Sequence, residues 1–236
     1  MLRLSPGGAE HPEKTGRKGV SQMVLQARAE ATRRRIIDSA VDLFDELGYG
    51  ETGLADVLQR AGVSKGAFYY HFDSKEAVAT AIIDEHRRRI REAVRKRSDP
   101  SEPALEGMIV ATFAAAAICE DDKTVRIGNQ LLQALGQVSS VAAPIYAEWT
   151  GLFVAPLAQA FESVGVRAGV DATEAAEAMW AGVLGCHLLS AAVGDDSSAR
   201  LARAWRAMVR ATVPENLFEH YDKLLEKVSA APQRVG

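Results

Sequence analysis

Between Thr52 and Lys75 the chain has very little choice of fold. Thr52 precedes a short stretch with apolar Leu54, Val57, Leu58 and Ala61, and Ser64 precedes a second in which Phe68 and Phe72 stand four apart. Side chains four apart share one helix face. Threonine and serine hydroxyls cap the free N–H groups at helix starts. Ala61-Gly62-Val63 separates the two stretches. Glycine admits the left-handed backbone of a tight turn, and Val63 is small and apolar enough to fill the angle between two helices. Two short capped helices around a glycine turn make a helix-turn-helix.

The rest of the chain also reads as helix. From Gln26 to Leu47, apolar Ile36, Ile37, Ala40, Leu43, Phe44 and Leu47 recur with a period of about 3.6, and Gly48 follows as a C-terminal glycine. Ser74 caps a long helix running to Arg97. Further helices are expected near 104–119, 123–136, 144–165, 172–193, 197–212 and 215–229, with Pro214 suited to the first turn of the last. Alanine is abundant and aromatics are only 6%, the opposite of what strands want. No strand pattern and no internal repeat is visible.

The expected architecture is all-α. A three-helix, helix-turn-helix DNA-binding domain over 25–73 is followed by a connecting helix over 74–97. A helical-bundle ligand-binding and dimerisation domain then covers 98–236. Asp99-Pro100 and Pro103 mark the linker. Residues 1–24, with Pro6, Gly7, Gly8, Pro12 and Gly16, are expected to form a disordered arm that touches DNA through Arg17 and Lys18.

Composition narrows the function classes. The two cysteines, Cys119 and Cys186, lie far apart and form no CxxC, which points to a reducing, cytoplasmic compartment. The longest apolar run, Met108 to Ile118, falls short of the roughly 20 residues a membrane helix needs, and the N-terminus lacks an apolar signal core. No membrane partner is expected. Asp121-Asp122, Glu174/Glu177 and Asp195-Asp196 have no histidine at metal-binding spacing, and neither a phosphate loop nor a Ser/His/Asp signature occurs. No catalytic residue, metal or cofactor is therefore expected, and the chain does not read as an enzyme. The net charge of −3 divides unevenly, with 18 Lys and Arg against 14 Asp and Glu in residues 1–97 and 10 against 17 thereafter. A basic front end fits a polyanion partner, or simply two differently solvated faces.

The second helix of the motif has the face such a partner needs. Ser64, Lys65, Gly66, Tyr69 and Tyr70 are expected outward while Phe68 and Phe72 pack inward. Small residues at its start let the helix sit deep in a major groove. Helix N-termini at Thr52-Gly53 and Ser74-Lys75 offer N–H groups to phosphates, and Lys65, Tyr69, His71 and Lys75 add side-chain donors. Plainer readings stand beside these. Tyr69 is also suited to packing on its own helix, and His71 to packing between helices. Arg87-Arg88-Arg89, with Arg91, Arg95, Lys96 and Arg97, is interleaved with Glu85 and Glu92 and reads as a solvated face. A helical adaptor that binds only protein would not need the groove-shaped face from Ser64 to Tyr70.

The stretch Ile36-Ile37-Asp38-Ser39-Ala40 through Phe44 and Gly48-Tyr49, with Ala61-Gly62-Val63-Ser64-Lys65-Gly66-Ala67-Phe68-Tyr69-Tyr70-His71-Phe72-Asp73-Ser74-Lys75-Glu76, resembles the TetR family of bacterial one-component repressors. The resemblance implies DNA contacts at Lys65, Gly66, Tyr69, His71 and Lys75, with Arg28 and Arg33 as phosphate contacts. It also implies a homodimer reading an inverted-repeat, double-stranded DNA operator, and a C-terminal domain that binds a small-molecule effector. Thr124-Val125-Arg126-Ile127-Gly128 and Tyr146-Ala147-Glu148-Trp149 resemble that family's γ-butyrolactone-receptor branch. There the position of Trp149 lines the ligand pocket, and Gly185-Cys186-His187 falls on a second pocket-lining stretch. A γ-butyrolactone- or butenolide-like effector follows from that branch. The alternative is a TetR-type regulator of efflux or lipid metabolism genes with a different hydrophobic effector.

The residues themselves support a pocket independently. Tyr146 and Trp149 are three apart, as are Gln130 and Gln133, and Trp180 and His187 are two turns apart on an otherwise apolar helix. Buried polar groups without partners cost about 1–3 kcal/mol each; a bound ligand would satisfy them. Otherwise the aromatics are core and the glutamines surface, and Cys186 reads as a small buried hydrophobe. For the dimer, Ala175, Ala178, Ala181, Gly182 and Gly185 permit close helix approach, and Phe218, Tyr221, Leu224, Leu225 and Val228 form a stripe. Two such helices from each subunit would make a four-helix bundle.

Overall fold

The helical spacings of the sequence become helices throughout. The computed structural model describes residues 14–97, 101–102, 104–136 and 142–230. These form α1 (Lys14–Leu47), α2 (Leu54–Ala61), α3 (Lys65–His71), α4 (Lys75–Arg97), α5 (Ala104–Asp121), α6 (Lys123–Gly136), α7 (Ala142–Val164), α8 (Ala172–Val193), α9 (Ser197–Thr212) and α10 (Phe218–Ala230), with a 3-10 turn at Glu215–Leu217. No strand occurs among the described residues.

Two expectations are corrected at the front of the chain. The first helix starts at Lys14, so residues 14–24 are helical and not part of a disordered arm. Extending an existing helix adds one hydrogen bond per residue ordered. Isolated Gly16 and Gly19, at about 1 kcal/mol each, do not stop it. Residues 1–13, the linker prolines Pro100 and Pro103, and residues 137–141 of the expected Gly136–Ala143 break lie outside the described residues. The N-cap of α2 is Gly53, not Thr52. The buried Thr52 hydroxyl turns back and donates to the Gly48 carbonyl at 2.8 Å, while Asp56 Oδ2 accepts from the Gly53 N–H at 2.8 Å.

The chain divides into two compact units, Met1–Val78 and Ala79–Gly236. The first buries Ile36, Ala40, Leu43 and Phe44 of α1, Val57 and Ala61 of α2, Phe68 of α3, and Phe72. Gly62 adopts φ +62°, the left-handed turn that the motif requires. Ser64 caps α3 by accepting from the Ala67 N–H at 3.1 Å.

In the second unit, α5, α7, α8, α9 and α10 share one core, with Leu105, Ile109, Leu157, Phe161, Met179, Leu201, Trp205, Tyr221 and Leu225 at its centre. Fully buried Trp205 donates its indole N–H to Thr112 Oγ1 at 2.8 Å, and that hydroxyl donates onward to the Ile109 carbonyl at 2.7 Å. A polar pair is thereby satisfied inside apolar packing. The stripe on α10 is corrected from a dimer surface to core. Tyr221 and Leu225 are buried, and Phe218, Leu224 and Val228 pack against the same cluster. By length and composition alone, α8 could cross a membrane. Glu174, Glu177 and His187 interrupt its apolar run. It buries Ala176, Met179, Val183 and Cys186, while Leu188, Leu189 and Val193 are 53%, 50% and 64% exposed.

Helix α6 lies unusually close to α4. A Cβ added at Gly128 would sit 2.4 Å from the His86 Cβ and 3.1 Å from the Ile82 carbonyl oxygen. Because backbone blocks one side, Gly128→Ala is expected to destabilise the protein by about 1–3 kcal/mol, seen as a lowered thermal midpoint. An unchanged midpoint would mean that α4 and α6 are less tightly apposed.

Candidate DNA-reading face and ligand cavity

In the first unit α3 presents two opposite faces. Phe68 is fully buried, while Tyr69 and Tyr70 are 46% and 78% exposed. Ser64, Lys65 and Gly66 are exposed at the helix start, and His71 is half-buried at its end. Lys65 Nζ lies 5.9 Å from the centre of the Tyr69 ring, and the Tyr70 and His71 rings meet edge-on at 4.9 Å. The helix thus offers a cation, phenol hydroxyls and an imidazole beside small residues, the groups that hydrogen-bond to base edges and phosphates.

The flanking residues fare differently. Arg28 is exposed on α1, whereas the Arg33 guanidinium lies 5.1 Å over the Phe72 ring. Lys75, expected to reach phosphate, donates to the Tyr49 and Thr52 carbonyls, both at 2.8 Å, and sits 4.2 Å over the Tyr49 ring. Two of its three donors are spent tying the turn after α1 to the start of α4. Thr52 and the Gly53 N–H are likewise engaged within the unit.

The second unit contains a cavity of about 1120 Å³. All six residues anticipated for ligand contact, Gln130, Gln133, Tyr146, Trp149, Trp180 and His187, line it. Three helices place them: α6 the glutamines, α7 Tyr146 and Trp149, and α8 Trp180 and His187; α4, with Ile90 and Val94, and α5, with Met108 and Cys119, complete the wall. The aromatic wall is interlocked. Tyr146 meets Trp149 edge-on at 6.2 Å, and Trp180 lies 5.0 Å from Phe153. Trp180 gives its indole N–H to Thr150 Oγ1 at 2.9 Å, leaving its ring as an apolar surface. Burial raises the Tyr146 phenol above its ordinary range and pushes the Cys119 thiol, also in the wall, up to about 12. Among the described residues no group of three or more His, Cys, Asp or Glu could hold a metal ion.

His86 was not among the anticipated residues. It is 1% exposed, stands in the cavity wall with its ring 5.6 Å from that of Trp149, and its Nδ1 lies 2.8 Å from the Val125 carbonyl oxygen. A signal existed in the sequence: Ile82, His86 and Ile90 fall on one helix face, so the histidine sits in an apolar stripe. The adjacent arginines Arg87, Arg88, Arg89 and Arg91 are paired. Arg87 and Arg91 both bond Glu148 of α7, Arg89 bonds Asp122 at the start of α6, and Arg88 bonds Glu85 and Glu92. Hydrogen bonds from Arg88 and then Arg89 hold the Glu85 carboxyl down to about 2. Arg87, Arg89 and Arg91 thus fasten α4 to its neighbours and are not a free phosphate patch.

A family described as bacterial regulatory proteins, tetR family, matches residues 36–82. The A-factor receptor protein of Streptomyces griseus is 52% identical over 63 residues, 27% of this chain and 23% of that protein. The match thus spans less than a quarter of that relative's length. A solved gamma-butyrolactone receptor, described as ArpA-like, is 30% identical with a TM-score of 0.72, over 87% of this chain and all (100%) of that one. CprB of Streptomyces coelicolor A3(2), described as a TetR family protein, is 30% identical with a TM-score of 0.70, over 87% of this chain and 100% of its own. CprB has also been solved in complex with its biological operator sequence.

Burial of His86 has a measurable cost. It lowers the imidazole from 6.5 to about 4, and burial lowers His187 too. Below the ordinary value the unfolded chain takes up a proton that the folded state refuses until about pH 4, so stability falls as pH drops through that window. Each pH step of one across the window removes about 1.4 kcal/mol, so the loss due to His86 is expected to reach about 3 kcal/mol. Urea melts between about pH 7 and pH 4 are expected to show this slope, reduced in His86→Phe. A slope unaltered by that substitution would mean that His86 titrates normally.

Proposed function

The chain belongs to the TetR family of bacterial regulatory proteins, and from that premise we propose that it is a ligand-responsive transcriptional repressor. It binds an inverted-repeat operator as a homodimer and is released by a small, mostly apolar effector. The observation that carries the reading is the two-faced α3, with Phe68 fully buried and Lys65, Tyr69 and Tyr70 turned to solvent. Ser64, Lys65, Gly66, Tyr69, Tyr70 and His71 read the major groove, and Arg28 meets the backbone. One chain supplies one such helix; an inverted repeat needs two, about 34–36 Å apart.

The effector site is the cavity of the second unit. Its volume of about 1120 Å³ is slightly above the usual range of about 300–1,000 Å³, and its wall is mostly apolar with a few polar groups. A γ-butyrolactone- or butenolide-like molecule, with a compact polar ring and an alkyl arm, suits that wall. The likeness to a gamma-butyrolactone receptor supports the choice. Helix α4 contributes to the cavity wall and begins in the first unit, so the signal runs through it. A hundredfold loss of operator affinity needs about 2.7 kcal/mol of coupling. The dimer forms on the face of α8 turned away from the cavity. Leu189 and Val193 are exposed there, and nothing lies within 4 Å of a Cβ added at Gly182.

Gel shifts on a genomic inverted repeat test the reading. Lys65→Ala and Tyr69→Ala are each expected to weaken binding about tenfold or more with melting temperature unchanged. Loss of one phosphate contact per subunit lowers the salt-dependence slope by about 0.9 per contact. If either variant unfolds the protein, those side chains are structural and the assignment fails. Trp149→Ala is expected to bind DNA normally yet respond weakly to a γ-butyrolactone; an unaltered induction curve would remove the cavity from the mechanism. Leu189→Glu is expected to yield monomers by light scattering, and an intact dimer would place the interface elsewhere.

A further inference from the structure

Among the described residues of the cavity wall, one fully buried side-chain nitrogen, His86 Nε2, has no hydrogen-bond partner. His86 Nδ1 faces the Val125 carbonyl oxygen at 2.8 Å. A carbonyl only accepts, so Nδ1 carries the proton. Burial keeps the ring neutral, and Nε2 is therefore a bare lone pair. That atom is buried and has no hydrogen-bond partner among the described residues. Native proteins pair almost all such groups, and the exceptions call for an explanation. The glutamines of the wall differ in this respect: Gln130 is exposed and Gln133 half-buried, so water serves them. The His86 ring cannot retreat from the cavity, because α6 closes behind it where a Gly128 Cβ would meet His86 Cβ at 2.4 Å. On its other side stands the half-buried Trp149, with ring centroids 5.6 Å apart.

We propose that His86 Nε2 is the acceptor that selects the effector, taking a hydrogen bond from a hydroxyl carried on an apolar body that packs against Trp149. The proposal rests on reading the cavity as the effector site and adds the chemical class: a donor-bearing ligand, not a purely apolar one. No proton changes owner. The ligand O–H donates to Nε2 while Nδ1 keeps its hydrogen for Val125. A site built around a buried acceptor rejects an analogue that lacks the donor far more strongly than an apolar pocket rejects a missing methylene. The Trp149 ring is the neighbour that shifts to admit the hydroxyl, so its fluorescence reports the event.

Calorimetry on the full chain tests this with two synthetic probes, a γ-butyrolactone bearing a 1-hydroxyhexyl arm and its O-methyl ether. The wild type is expected to bind the alcohol at least about tenfold more tightly than the ether, a difference of about 1.4 kcal/mol. In His86→Phe, which keeps a ring but neither nitrogen, that preference is expected to vanish. Equal binding of both probes by the wild type would overturn the role of His86 while leaving the cavity as the effector site. A preference that survives in His86→Phe would do the same. Binding of neither probe by the wild type would overturn the lactone effector reading and this proposal together. Nitrogen-15 spectra of the wild-type histidines avoid dependence on the variant's folding. The His86 ring is expected as the Nδ1–H form, with its Nε2 resonance shifting on addition of the alcohol and not of the ether. An Nε2–H form in the free protein would overturn the proposal.

Discussion

A seven-residue helix does not hold itself in water. Nucleation costs more than one short run of hydrogen bonds returns, so α3, Lys65–His71, exists because its neighbours hold it. Ser64 satisfies one free N–H at its start, Gly62 turns the chain in the left-handed region just before it, and Phe68 anchors it in the core of the first unit. Every outward group on this helix depends on those three residues. The same requirement explains Lys75. Its two bonds to the Tyr49 and Thr52 carbonyls satisfy backbone groups that the turn leaves open, and they brace the first turn of α4 against the loop after α1. A lysine in a basic stretch is thus a strut here.

The second unit resolves a different tension. A large cavity removes packing from a helical bundle, so the remaining contacts must hold the walls. The Trp205–Thr112–Ile109 relay and the shared core of five helices do this on one side. On the other, α4 is fixed by the close approach of Gly128 and by ion pairs from Arg87, Arg89 and Arg91 to α6 and α7. Individually such partly exposed pairs contribute about 0–1 kcal/mol. Their effect lies in registration: Glu148 joins two arginines one residue away from Trp149, so the tryptophan and His86 are positioned by the same contacts.

Much of the cavity was legible from spacing alone. Tyr146 with Trp149, Gln130 with Gln133, and Trp180 with His187 are pairs on single helix faces, and all six converge on one space. Intra-helix spacing predicts shared faces without reference to the rest of the fold. His86 escaped because its significance comes from Val125, Gly128 and Trp149, which lie on α6 and α7 and far along the chain. The stripe on α10 misled for the mirror-image reason. A run of apolar residues at helical spacing shows that a face will be buried, but not whether the partner is another chain or, as here, the subunit's own core.

The sequence by itself determined the helices and most of their ends, the glycine turn, the outward face of α3 and the aromatic composition of the cavity. All of these follow from backbone conformation and side-chain periodicity within about one or two turns. Only the tertiary structure decided that Lys75 and Thr52 turn inward, that Arg87, Arg89 and Arg91 of α4 pair with distant carboxylates, and that one nitrogen of His86 is left without a partner. Each is a matter of which distant groups share a hydrogen bond, and sequence separation carries no such information until the chain has packed.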